Sequence, residues 1–211
     1  MESMEPNLSL PCRLSLPDTP GPWPALVLVH GWLGNENVMW TFASTAPAGM
    51  ALFSPRGVFP ADGGYGWFSE QPTEEDVLVG VRALEAFILA LPRQHPIDRK
   101  RVTLMGFSQG AAVCAALWLH NPGIAERVAL LAGFLPRPAR AWATRGRLNG
   151  RSAFIAHGLN DTTVPLEQAQ VMRDSLERAG AEVTYGEYLI GHKMNSQALR
   201  DLKEWLVDWP A

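Results

Sequence analysis

The chain has 211 residues, 47% hydrophobic and 18% charged, with a formal net charge of -3. That length fits one compact domain, and the hydrophobic content excludes a disordered chain. No apolar run approaches the ~20 residues that span a bilayer, and the weak acidic balance leaves no basic footprint for nucleic acid, so neither integral membrane association nor a nucleic-acid partner is expected.

The N-terminal stretch MESMEPNLSL carries acids and proline where a secretory signal needs a basic region and an apolar core. Two cysteines, Cys12 and Cys114, make no disulfide framework at this length, so a reducing, cytoplasmic setting is expected. Within Leu8–Leu16 leucines alternate with polar or proline positions, and Pro11 limits this strand to a sheet edge. Short aliphatic runs at Ala25–Val29 and Met50–Ser54 read as buried strands.

Thr73 can cap a helix whose first turn is Glu74, Glu75 and Asp76, with acids at the positive end of the helix dipole. Val77, Val81, Leu84, Ile88 and Leu91 then form one apolar stripe, and Pro92 is expected to stop it. Arg101–Met105 is a third buried strand, followed by an alanine-rich helical pattern over Ala111–Leu119 that contains Cys114. Arg127–Leu131 and Ala153–Ala156 are the next buried strands. Pro165 is expected to occupy the first helical position, ahead of a core face of Leu166, Ala169, Met172, Leu176 and Ala179, and Gly180 ends that helix. Glu182–Leu189 reads as an edge strand, and a last helix carries Leu199, Leu202, Leu206 and Trp209 on one side.

Strands alternating with helices imply right-handed crossovers and a mostly parallel sheet covered on both faces, here one α/β domain over residues 1–211. Ligands of such sheets meet the loops at the strands' C-terminal ends, which is where chemistry is to be sought.

Directly after Arg101–Met105 stands Gly106-Phe107-Ser108-Gln109-Gly110, between a strand and a helix. That is the setting of a nucleophile elbow, in which a serine sits on a strained turn and its flanking glycines avoid neighbouring backbone. A serine hydroxyl needs a base, and the base needs an orienting acid. In α/β hydrolases the chain order is serine, acid, histidine. Of five histidines, only His157 and His192 follow strands downstream of Ser108, and His192 alone also follows Asp161. Ser108 is therefore assigned as nucleophile, His192 as general base and then acid, and Asp161 as the orienting carboxylate. His157 reads as hydrogen-bonding support for the acid loop.

The loop after Ala25–Val29 is His30-Gly31-Trp32-Leu33-Gly34. It and the residue after the nucleophile supply the oxyanion donors of this fold. The backbone N–H groups of Trp32 and Gln109 are the candidates, with Leu33 a rival because the loop aligns in two ways.

The GFSQG elbow, the HG-x-x-D-x-x-VP acid loop and the Gly191-His192 pair resemble the phospholipase/carboxylesterase family, which includes acyl-protein thioesterases. The resemblance runs from His30 to His192 and implies an α/β-hydrolase fold with no lid domain. Gly66-Trp67-Phe68-Ser69 is similar to the family's Trp-Phe-Asp segment, which lines the acyl pocket. The chain departs from the family pattern at Ala111, at Ser69 and in an oxyanion loop one residue longer.

Leu33, Trp67, Phe68 and Met194, with Trp32, are the expected pocket residues. The segment from Phe134 to Arg151 is too short for a cap, so an open site without interfacial activation is expected. Its Arg137, Arg140, Arg145, Arg147 and Arg151 read as a solvated surface loop, the alternative being an attraction for anionic substrates.

The expected activity is that of a serine carboxylester hydrolase cleaving short- to medium-chain acyl esters or thioesters through an acyl-enzyme on Ser108. It requires no metal and no organic cofactor, and the partner is a small-molecule ester or thioester. The sequence carries no signature of an oligomeric state. Two other readings share the fold: an acyltransferase or perhydrolase using the same triad, and a non-catalytic binding scaffold.

Overall fold

Alternate side chains of each central strand enter opposite cores, so the sheet must be covered on both faces. In the computed structural model, which describes residues 10–208, Ala25, Val27 and Val29 join one core while Leu26 and Leu28 join the other. The elements in chain order are β1 (Cys12–Ser15), β2 (Trp23–Val29), β3 (Ala51–Pro55), β4 (Phe59–Ala61), β5 (Gly64–Gly66), α1 (Glu74–Gln94), β6 (Ile97–Phe107), α2 (Gln109–His120), β7 (Arg127–Leu131), β8 (Ser152–Gly158), α3 (Leu166–Arg178), β9 (Glu182–Tyr188) and α4 (Ser196–Val207). A 3-10 helix over Val38–Thr45 lies between β2 and β3.

Among the described residues seven strands form one sheet in the order β1-β3-β2-β6-β7-β8-β9, while β4 and β5 pair as a separate hairpin. Only β1 runs antiparallel to its neighbour; the rest of the sheet is parallel. This is the α/β-hydrolase architecture that the strand–helix alternation predicts. The expected edge strands are the edges, with β1 on one side and β9 on the other. Leu8 of the first expected strand and Trp209 of the last helix lie outside the described residues.

Helices α1 and α2 and the inner face of α3 cover one side of the sheet, and α4 with the Val38–Thr45 helix covers the other. Leu84, Leu91, Leu104 and Leu117 are fully buried, each worth about 1.5–3 kcal/mol relative to exposure.

Thr73 caps α1 as expected. Its hydroxyl accepts from the Asp76 N–H at 3.2 Å, and the Asp76 carboxylate accepts from the Thr73 N–H at 2.9 Å. Pro92 does not stop α1, which runs on to Gln94. A proline this near the end removes one intrahelical bond, and the His95 N–H still reaches the Leu91 carbonyl at 2.9 Å. Pro165 stands one position outside α3, at its N-cap, with an extended ψ of 144°. Gly180, at φ 98°, ends that helix. Its N–H bonds the Glu177 carbonyl at 2.9 Å and the Ala181 N–H bonds that of Leu176 at 3.0 Å, closing a Schellman motif.

Strand β6 begins four residues earlier than the aliphatic run suggests. Trp23 pairs with Ile97 but Ala25 pairs with Val102, so the polar residues Asp98, Arg99, Lys100 and Arg101 bulge out between them.

Candidate active site

Ser108 lies between the end of β6 and the start of α2, at φ 55° and ψ -118°. A non-glycine residue in this conformation is strained, and the surroundings hold it there. The Ser108 N–H donates to the Leu131 carbonyl at 2.8 Å, tying the turn to β7. A methyl group at position 110 would overlap the carbonyl oxygens of Val29 and His30, and one at 106 would overlap the backbone of Gly110 and Ala111. Glycine at both positions is what lets the turn close so tightly.

His192 and Asp161 meet from two neighbouring strand ends. His192 Nδ1 lies 2.7 Å from Asp161 Oδ2. Asp161 Oδ1 accepts the backbone N–H groups of Thr163 and Val164, each at 2.9 Å. The carboxylate is buried, and these bonds stabilise its charge. With the carboxylate accepting, Nδ1 of His192 carries a proton, so in the neutral imidazole Nε2 is the acceptor. The imidazole packs on Phe107, with ring centroids 5.0 Å apart.

His157 is wholly buried beside this pair. Its Nε2–H donates to the Val164 carbonyl at 2.8 Å, as expected of a support for the acid loop. The ring also passes 3.6 Å from Asp161 Oδ2.

The loop from Gly31 to Gly34 is a tight turn closed by the Gly34 N–H on the Gly31 carbonyl at 3.1 Å, with Leu33 at φ 60°. The His30 ring fixes the same carbonyl, with Nδ1 2.7 Å away. Its Nε2 accepts the Gly57 N–H at 2.8 Å, so Nδ1 carries the proton and the ring is neutral. Burial pushes its pKa below the ordinary 6.5, in keeping with that state. The hairpin clamps the turn from outside, through the Tyr65 N–H on the Gly34 carbonyl at 2.9 Å. Arg56 adds a bidentate pair to Glu36 at 2.6 and 2.7 Å.

Ser108, His192, Trp32, Leu33 and Met194 line one cleft of about 630 Å³. Two other expected pocket residues do not. Trp67 is fully buried and Phe68 is 2% exposed, both in the core beneath the site. Gln109 is responsible. Its side-chain oxygen accepts the Trp67 N–H and its nitrogen donates to the Phe68 carbonyl, both at 2.8 Å, which draws this segment inward. The wall expected of Trp67 and Phe68 is supplied instead by Val38, Met39 and Phe42 of the 3-10 helix, with Phe107 and Leu199. Sequence reasoning misses all five as pocket residues. Phe107 stands inside the elbow motif itself, and the helical spacing of Leu199 marks it as core.

In the arginine-rich segment Arg137, Arg145 and Arg147 are exposed, as expected of a solvated surface loop, and three of its five arginines also tie the segment to the rest of the fold. Arg147 donates to the carbonyls of Leu119 and His120 at the end of α2, and Arg151 donates to that of Ala125 at 2.9 Å. Arg140 reaches the Gln168 side chain at 3.1 Å. Among the described residues no three His, Cys, Asp or Glu side chains converge as metal ligands would.

Sheet order, elbow and strand-end loops together define an α/β hydrolase. The chain belongs to the phospholipase/carboxylesterase family, whose model matches residues 22–209. It is similar to the carboxylesterase of Bacillus cereus, with 25% identity, a TM-score of 0.85 and 95% of each chain covered. The carboxylesterase of Mesorhizobium loti gives the same identity and TM-score over 98% of this chain and 99% of its own. The esterase YpfH of Escherichia coli (strain K12) is 28% identical over 191 residues, covering 83% of this chain and 78% of that one.

Proposed function

We propose that this protein is a serine carboxylester hydrolase acting through an acyl-enzyme on Ser108. The observation that carries the reading is the 2.7 Å bond between His192 and Asp161, on a histidine that shares its cleft with Ser108. Nε2 of His192 takes the hydroxyl proton as Ser108 Oγ attacks the acyl carbon. Asp161 stabilises the resulting imidazolium without taking the proton itself. The carbonyl oxygen, now negative, faces the N–H groups of Gln109 and of Trp32 or Leu33, near the positive end of α2. His192 then protonates the leaving alcohol or thiol, and water repeats the sequence to release the acid. No step calls for a metal or organic cofactor.

Short- to medium-chain acyl groups suit the cleft, because most of its lining side chains are apolar, Thr41, Thr163 and Lys193 being polar exceptions, and the acyl chain must lie along them. Similarity to carboxylesterases and an esterase supports the same substrate class. No helix among the described residues is long and apolar enough to cross a membrane. A fluorophosphonate probe is expected to label Ser108 and no other residue, and Ser108→Ala is expected to abolish turnover of p-nitrophenyl acetate. Labelling at another residue, or undiminished turnover in that variant, overturns the reading.

A further inference from the structure

The two candidate oxyanion donors stand on different elements, Trp32 in the loop after β2 and Gln109 in the first turn of α2. Trp67 holds the supports of both. Its indole N–H donates to the His30 carbonyl at 2.9 Å, and its backbone N–H donates to the Gln109 side-chain oxygen at 2.8 Å. The His30 ring lies 5.5 Å from the Trp67 ring and passes the constraint onward, its Nδ1–H donating to the Gly31 carbonyl at 2.7 Å. That carbonyl belongs to the same peptide group as the Trp32 N–H. Because the peptide is planar and trans, fixing the carbonyl fixes the direction of the N–H opposite it. The Leu33 N–H lies in the same turn, so the constraint holds whichever of the two donates.

All three residues are buried: Trp67 and His30 fully, and Gln109 to 5% exposure. Behind them α1 leaves no slack, since a methyl group at Gly80 would overlap the Trp67 carbonyl. Trp67 does not line the cleft, so any effect it has on turnover is indirect. Oxyanion donors act only when they lie about 2.7–3.1 Å from the developing charge, which makes the spacing between the two elements a quantity the fold must set.

We propose that Trp67 is a positioning residue that sets the spacing of the two oxyanion donors, through His30 on one side and Gln109 on the other. The proposal rests on the serine-hydrolase reading above.

Trp67→Phe keeps an aromatic ring and removes the indole donor. With p-nitrophenyl acetate, kcat per fluorophosphonate-titrated site is expected to fall about tenfold, short of the ~10²–10³-fold that loss of a donor costs. KM should stay within about twofold, because the indole N–H supports groups that bind the transition state rather than the substrate. Affinity for an arylboronic acid, whose serine adduct is tetrahedral, should fall by the same factor as kcat/KM.

Trp118→Phe is the control. Trp118 is fully buried, lies outside the cleft lining, and its indole N–H donates to the Ala125 carbonyl at 3.0 Å. It should lose comparable thermal stability and keep its kcat. A wild-type kcat per titrated site in Trp67→Phe, or an equal loss in Trp118→Phe, overturns the proposal. If Trp67→Phe does not fold, His30→Asn and His30→Phe carry the test. Asparagine keeps an N–H near the position of Nδ1 and should retain more kcat than phenylalanine; equal values overturn the proposal. Turnover surviving in Ser108→Ala overturns the hydrolase reading itself, a result independent of Trp67.

Discussion

His157 and Val164 are bonded across the acid loop, with the imidazole Nε2–H on the Val164 carbonyl at 2.8 Å. The N–H of the same Val164 donates to Asp161 Oδ1 at 2.9 Å, so one residue links the buried imidazole to the carboxylate. His157→Leu leaves that carbonyl buried without a donor, which costs about 1–3 kcal/mol. At about 2–4 °C per kcal/mol for a chain of this size, calorimetry should resolve the drop in Tm. His157→Gln restores an N–H at similar reach and should recover at least half of it. Equal Tm values for the two variants would show that the bond does not hold the loop.

Asp161→Asn tests the tautomer of His192. Its Oδ1 must still accept the N–H groups of Thr163 and Val164, which turns the amide nitrogen toward His192. The imidazole then has to accept at Nδ1 and carry its proton on Nε2, where it cannot receive one from Ser108. In the proposed mechanism kcat should fall about 10⁴-fold while the fold is retained. The pre-steady-state burst of p-nitrophenol reads the acylation step directly. A burst of wild-type rate would remove Asp161 from the mechanism.

The pair of Glu36 and Arg56 makes the candidate oxyanion loop sensitive to acid. The Arg56 guanidinium holds the Glu36 carboxyl below its ordinary value of 4.5. A lowered folded-state value means stability fully present above pH 4.5 and lost as pH falls through the folded value, because the unfolded chain takes up the proton first. Partial exposure screens the pair, so about 1 kcal/mol is at stake. Urea midpoints of wild type and Glu36→Gln should differ at pH 6 and converge toward pH 3. A difference independent of pH would assign the effect to packing.

Much of this site can be read from spacing because its parts lie at strand ends, where sequence marks them. Gly106, Ser108 and Gly110 carry a local steric requirement that three positions reveal, and Asp161 and His192 follow successive strands. Spacing misplaces Trp67 and Phe68 because their direction is set by Gln109, 42 and 41 residues away, and no local pattern reports that contact. The Val38–Thr45 helix escapes for a similar reason. It has no strand or helix period to announce it, and it acquires a role by packing against α4, β2 and β3. Asp98 to Lys100 hide the start of β6, since a bulge turns polar side chains outward where a buried strand would be apolar throughout.

Leu199 of α4 reaches the cleft wall, so it should limit acyl length. Each methylene buried against that wall is worth about 0.8 kcal/mol, or roughly fourfold in kcat/KM per added carbon. In a series of p-nitrophenyl esters the rise should continue until the chain outgrows the wall. Leu199→Trp should end the rise at a shorter chain and leave the acetate almost unaffected. An unchanged length profile would place the acyl chain elsewhere.

Ser108 itself is held against its own preference, at φ 55° and ψ -118°. Strain of this kind costs on the order of 1–3 kcal/mol for a residue with a Cβ and little for glycine. Ser108→Ala keeps the Cβ and therefore the strain, whereas Ser108→Gly removes both. Elsewhere in a folded chain alanine is the more stabilising of the two, because glycine loses about 0.5–1 kcal/mol more in backbone entropy. At this position the order should reverse, with the glycine variant melting about 2–4 °C above the alanine variant for each kcal/mol of net relief. Both should be inactive toward p-nitrophenyl acetate, so the comparison isolates conformation from chemistry. An alanine variant as stable as the glycine variant would mean that the elbow stores no strain, and that the two flanking glycines serve only to let neighbouring backbone approach.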